Sequence, residues 1–124
     1  MDIKQEDLIR FWNWVGCERK PHPLAFDDDG KMWLYPDGFY MPNLPVLDLN
    51  NIYRYAIPKL QKMGYHTELT SYNDGINQAR IFTIINVEKT NNVACVESKS
   101  PTEALYNAIM KVIDNEAEHE IPEK

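Results

Sequence analysis

Cysteine is scarce in this chain. Only Cys17 and Cys95 occur among 124 residues, with no CxxC pair. That excludes a disulfide framework and a paired-cysteine motif, and it makes a reducing cytoplasm the expected compartment. Glycine is also sparse. Gly16, Gly30, Gly38, Gly64 and Gly75 stand too far apart for a phosphate-cradling GxGxxG or a P-loop, and no Gly-x-Ser-x-Gly occurs. No stretch approaches 18 apolar residues, so no membrane span is expected. The opening MDIKQEDLIRFW carries acids and lacks the apolar run of a signal peptide. Positive charge is in deficit, with 13 Lys and Arg against 19 Asp and Glu and a net charge of −6. A general nucleic-acid or acidic-membrane binder needs a positive face, so direct binding of either is not expected.

Apolar residues, in contrast, are plentiful. At 44% hydrophobic and 11% aromatic, the chain can bury a core. Its length suits one domain, expected over 1–118, followed by a flexible acidic tail over 119–124. A first helix is predicted from Ile3 to Val15, with Asp2 as N-cap and Gln5 completing a capping box. Leu8, Phe11, Trp12 and Val15 make its apolar stripe, and Gly16 stops it. Residues 17–45 are broken by five prolines. Asp27-Asp28-Asp29-Gly30 reads as a turn between two short strands, LAF and KMWLY, and Pro36-Asp37-Gly38 as a second turn.

A second helix begins at the natural N-cap Asp48. Its stripe is Leu49, Ile52, Tyr53, Ala56, Leu60 and Met63, and it ends at Gly64. Pro58 interrupts it, although proline in a helix interior costs about 3 kcal/mol. At about 100° per residue Pro58 falls roughly opposite Leu49, on the solvent side, where a kink is tolerated. Three strands follow, Tyr65–Tyr72, Gln78–Glu88 and Val93–Glu97, with turns at Asn73-Asp74-Gly75 and at Asn91-Asn92. Apolar residues alternate onto both faces of the last two, so both faces are expected to be covered. Ser100-Pro101-Thr102-Glu103 is a helix start with cap, first-turn proline and capping-box acid. Ala104, Leu105, Ala108, Ile109, Val112 and Ile113 form the stripe of that last helix, which is expected to fray from Asp114. The fold class is therefore α+β: an α–β–α layered sandwich, with an antiparallel sheet (three-strand meander plus N-terminal hairpin) and helices on both faces.

Catalytic and metal signals are weak. The aspartates of 27–29 lack the alternating ligands of a calcium loop, whose twelfth position would be Gly38. Cys17, His22, His66 and His119 lack the paired spacings of a zinc site. A Cys17–His22 nucleophile pair has no third group or oxyanion hole assigned to it. No cofactor, no metal and no enzymatic activity are expected. The run MWLYPDGFYMP from Met32 to Pro42 is the candidate site. Trp33, Tyr35, Asp37, Phe39 and Tyr40 are the expected partner-binding residues, with Asp27, Asp28 and Asp29 adding to an acidic rim; the alternative is that these aromatics lid the sheet. Trp12 belongs to the core stripe, whereas Trp14 points elsewhere and is available to a partner or a second subunit.

The segment from Asp48 to Ile113 has the element order of a double-stranded-RNA-binding domain. Its SKSPTEAL lacks that family's lysine cluster at the last helix. A closer likeness rests on FWNWVG (11–16), on the mid-helix proline of AIPKLQKMGY (56–65), and on PTEALYNAIMKVI (101–113). Over roughly residues 8–113 the chain resembles small phage and prophage proteins of the phage ABA sandwich domain type. The resemblance implies a phage or prophage origin, a bacterial host cytoplasm and a proline that belongs to the fold; it brings no catalytic residue. The reading that follows is a non-enzymatic interaction module binding a host or phage protein, for instance as an anti-CRISPR-like inhibitor of a host defence system. Two alternatives stay open. One is a binder of a nucleotide signal using Arg19, Lys20, Arg54 or Arg80. The other is a structural homo-oligomer joined by a strand edge or Trp14.

Overall fold

The computed structural model describes residues 2–120, with side chains described through residue 116. The fold is α+β, and the chain, read from sequence as one domain, divides into two compact units, Met1–Val46 and Leu47–Lys124. The expected single sheet with an added hairpin is instead two separate three-stranded antiparallel sheets, one in each unit.

In the first unit, α1 (Gln5–Val15) is followed by β1 (Glu18–Pro21), β2 (Lys31–Leu34) and β3 (Tyr40–Met41) in that spatial order. The helix starts two residues later than expected. Lys4 is its N-cap and no side chain caps it, so the Asp2–Gln5 capping box does not form. Its stripe holds: Phe11, Trp12 and Val15 are buried, and Phe11 meets Trp12 edge-on at 4.9 Å between ring centroids. At the other end the Gly16 and Cys17 N–H groups both donate to the Trp12 carbonyl, closing the helix. The hairpin pairs Glu18–Pro21 with Lys31–Leu34. The expected first strand, LAF, is instead part of the connecting loop, because Pro21 and Pro23 end the pairing before it.

In the second unit, Asp48 caps α2 (Leu49–Asn51) as expected, its Oδ1 accepting from the Asn51 N–H at 2.8 Å. The helix then widens into a π-turn, Ile52–Ala56, before resuming as α3 (Ile57–Lys62). The Ile57 N–H donates to the Ile52 carbonyl five residues back. This is how Pro58 is accommodated. It sits exposed at the start of α3, where the wider turn relieves the crowding that a regular helix would impose on its ring. The extra residue per turn also re-aims the helix. Ile52, Ala56 and Leu60 are buried as predicted, but Tyr55 and Ile57 join them and Tyr53 turns outward.

The meander β4 (His66–Ser71), β5 (Asn77–Asn86), β6 (Lys89–Ser98) follows. Its second turn is at Val87-Glu88, not at Asn91-Asn92. The Asn86 Oδ1 accepts the Glu88 N–H at 2.9 Å, an Asx-turn that places the reversal earlier. β4 pairs with β5 only as far as Phe82, so 83–91 forms a two-stranded arm. Ile84, Ile85 and Val87 on this arm are exposed, contrary to the expectation that both faces are covered.

α4 (Pro101–Glu120) lies across β5 and β6. Ser100 Oγ accepts the Glu103 N–H at 3.2 Å, and the expected stripe from Ala104 to Ile113 is buried throughout, together with Ala79, Ile81 and Ala94 of the sheet. The helix continues to Glu120, past Asp114 where fraying was expected; 121–124 of the expected tail lie outside the described residues. Asn77 is the one buried polar side chain among the described residues. It accepts from Ser71 Oγ at 2.6 Å and donates to the Lys99 carbonyl at 3.1 Å, joining β4, β5 and the approach to α4.

Candidate functional site

The first unit carries a groove of about 700 Å³ formed by the loop after β1 and the turn before β3. Its loop wall is His22, Pro23, Leu24, Ala25 and Phe26. Met32 of β2 and Gly38, Phe39 and Tyr40 complete the lining. The loop is closed by its own hydrogen bonds. The His22 N–H donates to the Gly30 carbonyl at 3.1 Å, and the Gly30 N–H to the Asp27 carbonyl at 3.0 Å. Gly30 and Gly38 hold positive φ of 67° and 93°, which is why the turns on either side of the groove place glycine there. His22 Nδ1 accepts the Leu24 N–H at 3.1 Å, which leaves Nε2 to carry the hydrogen of the neutral ring. The same ring packs against Tyr40, with centroids 4.6 Å apart.

Strand parity decides which side chains reach the groove. Lys20 pairs with Met32 and Leu34 with Tyr40, so these share one face. Arg19, Trp33 and Met41 share the other. Met32 and Tyr40 accordingly line the groove, and Trp33 does not. Trp33 lies under the Arg19 guanidinium, 5.4 Å from its ring centroid. The Tyr35 hydroxyl donates to the Asn43 carbonyl at 2.6 Å, and its N–H to the Phe39 carbonyl at 2.8 Å, which ties the hairpin end together. Of the five expected partner-binding residues, Phe39 and Tyr40 line the groove. Asp37 is exposed in the turn beside it, and Trp33 and Tyr35 serve the hairpin itself. Met32 opens the run singled out in the sequence, whereas His22, Leu24 and Phe26 lie outside it. The signal in the sequence is that Pro21 and Pro23 directly precede Leu24-Ala25-Phe26, which takes this apolar run out of the strand ladder.

The apolar wall is unusually open. Phe26 is 91% exposed, Leu24 71% and Phe39 66%. The aspartates near it are not equivalent. Arg19 forms ion pairs with both Asp27 and Asp29, the latter at 3.2 Å. The Asp29 carboxyl is held below its usual range, chiefly by the Lys31 N–H and then by Arg19. Asp28, between them, is exposed. Lys20 is paired with Glu18 at 3.1 Å.

Nucleophilic chemistry at Cys17 is unfavourable. Its thiol is buried, and burial, followed by the Asp37 charge, pushes it from an ordinary 9.0 up to about 11, so the thiolate is rare at neutral pH. Among the described residues, no three His, Cys, Asp or Glu side chains are grouped to hold a metal ion. His119 lies outside the described side chains. Among those same residues no helix is long and apolar enough to cross a membrane. In the second unit, Arg80 is engaged by Glu68 at 3.4 Å and lies 4.0 Å over the Phe82 ring, and Arg54 covers Tyr55. No family model matches the chain, no curated protein matches it, and no solved structure matches it.

Proposed function

We propose that this chain is a non-enzymatic binding module that engages a partner protein through the groove of its first unit. The observation that carries the reading is the exposure of Leu24, Phe26 and Phe39 around one concave, Met-floored site. Exposed aromatic and methionine side chains that converge on a concavity are what interface anchors are made of, and water contact with them costs free energy until a partner covers them. The buried, protonated Cys17 and the mutual neutralisation of Arg19, Asp27 and Asp29 support binding over catalysis. A nucleotide ligand is less favoured, because no Lys or Arg lines the groove and Arg19 is committed to carboxylates. A phage or prophage origin, and a host defence protein as the partner, belong to this reading through the sequence resemblance alone.

The test is affinity capture from a bacterial host, with tagged wild type compared with a Phe26→Ser/Phe39→Ser variant. Both positions are exposed, so the variant is expected to fold normally by circular dichroism. A partner enriched on the wild type and lost on the folded variant supports the reading. A partner retained equally by both would remove the groove from it.

A further inference from the structure

Resting on the groove as the binding site, we infer a control built into its loop wall: His22 is a pH-sensitive latch, whose neutral ring holds Leu24 in place and whose protonated ring releases it. The Leu24 N–H donates to His22 Nδ1 at 3.1 Å. A neutral imidazole accepts there because Nδ1 carries no hydrogen. Protonation places one on it, two donors then face each other, and the bond is lost. Two further hydrogen bonds of His22 are made by its backbone and do not titrate. Its N–H donates to the Gly30 carbonyl and its carbonyl accepts the Ala25 N–H, each at 3.1 Å. The loop thus keeps its path while the Leu24 peptide is freed to turn. In the wall, 22–26, His22 is the only titratable residue. Leu24 is exposed and lines the groove with Phe26, so the direction of its peptide shapes that wall.

Tyr40 packs against the imidazole with centroids 4.6 Å apart, and an aromatic ring keeps such a contact with a cation. The Leu24 end is therefore the one that gives way. The charged groups on the neighbouring elements are engaged elsewhere. Lys20, two residues earlier on the strand, pairs with Glu18 at 3.1 Å. Lys31 stands opposite Pro21, and its N–H donates to Asp29 Oδ1 at 3.0 Å. Asp27 and Asp29 are held by Arg19. Asp28 is exposed, and the Asp37 charge acts on Cys17. Among the described residues, none of these carboxylates bonds to the His22 ring. The latched wall is thus present above the histidine range and is lost as pH falls through it. An occupant that fits the latched wall must displace the proton wherever the ring is charged, so its affinity falls with the pH.

The experiment follows the Leu24 amide and the His22 ring by NMR from pH 8 to 5 in the full chain, as wild type, His22→Asn and His22→Ala. An asparagine Oδ1 accepts from the N–H two residues on, as His22 Nδ1 does, and it does not titrate. In wild type the Leu24 amide should shift in step with the ring. It should stay fixed and latched in His22→Asn and be released at every pH in His22→Ala. The groove is read in parallel with a neutral dye, Nile red. Wild-type affinity should fall about threefold or more between pH 7.5 and 5, and that of His22→Asn should not. A Leu24 amide that ignores the ring titration, or that moves with pH in His22→Asn as in wild type, overturns the latch. A released Leu24 with dye affinity unchanged overturns its control of the groove. Dye bound equally by Phe26→Ser/Phe39→Ser overturns the groove reading instead, and the NMR titration still decides the latch.

Discussion

The Cys17 thiol links the core of the first unit to pH in a way that can be measured. Burial and the nearby Asp37 charge hold it protonated to about pH 11 in the folded chain, whereas in the unfolded chain it ionises near 9.0. Between those values the unfolded state has released a proton that the folded state keeps. Stability is therefore fully present below pH 9 and falls as pH rises, by about 1.4 kcal/mol per unit. Across the window up to 11 the loss reaches roughly 2.7 kcal/mol, a large share of the 5–15 kcal/mol typical of a domain. The assay is urea unfolding at half-unit steps from pH 8 to 11, on wild type and on Cys17→Ala. Tyrosine and lysine titration affects both proteins, so the difference between their pH profiles isolates the thiol. The wild type should lose more stability with pH than the variant. Asp37→Asn should leave the onset near pH 9, set by the unfolded chain, unchanged, and should lose less than wild type, because Asp37 raises the folded value and its neutralisation narrows the window from above. The folded thiol reports this directly: its titration, followed by ultraviolet absorbance, should move below that of wild type in Asp37→Asn. Parallel pH profiles for wild type and Cys17→Ala would refute the reasoning.

Other parts of the fold make equally definite demands. At neutral pH a thiol reagent should modify the exposed Cys95 quickly and Cys17 only after denaturation, giving one reactive thiol in the native protein. Pro58→Ala should change stability by less than about 1 kcal/mol in chemical denaturation, because the π-turn already relieves the ring; a gain near 3 kcal/mol would show that the conflict persists. Asn77→Ala leaves the Lys99 carbonyl and Ser71 hydroxyl without their partner and should cost about 2 kcal/mol in the same assay. In Arg19→Met the Asp29 carboxyl should titrate higher by NMR than in wild type, since the guanidinium lowers it through both its hydrogen bond and its charge.

The elements legible in the sequence are those whose signals are local. The last helix is the clearest: Ser100 caps it, and a stripe at helical spacing from Ala104 to Ile113 is buried throughout. Asp48 announces the second helix for the same reason. Its interior was misjudged because a 100° periodicity assumes a regular helix, whereas the π-turn before Pro58 puts Tyr55 and Ile57 inside and Tyr53 outside. The β5–β6 turn was misplaced because an Asn-Asn pair looked stronger than the single Asx bond of Asn86, which wins. At the site, composition pointed to the aromatic hairpin but not to its two faces. Only the pairing of Arg19 with Trp33, and of Leu34 with Tyr40, separates the side chains under the guanidinium from those in the groove. The loop wall was hidden for a related reason. Leu24, Ala25 and Phe26 look like a strand until Pro21 and Pro23 are seen to end the ladder before them.

Two exposed apolar surfaces compete as the place where a partner binds: the groove, and the arm that carries Ile84, Ile85 and Val87. The decisive measurement is the affinity of a captured and purified partner for three proteins: wild type, Phe26→Ser/Phe39→Ser, and Ile84→Ser/Ile85→Ser/Val87→Ser. The groove variant should lose at least about tenfold in affinity and the arm variant should bind as wild type. Loss in the arm variant, with the folded groove variant binding normally, would contradict the assignment.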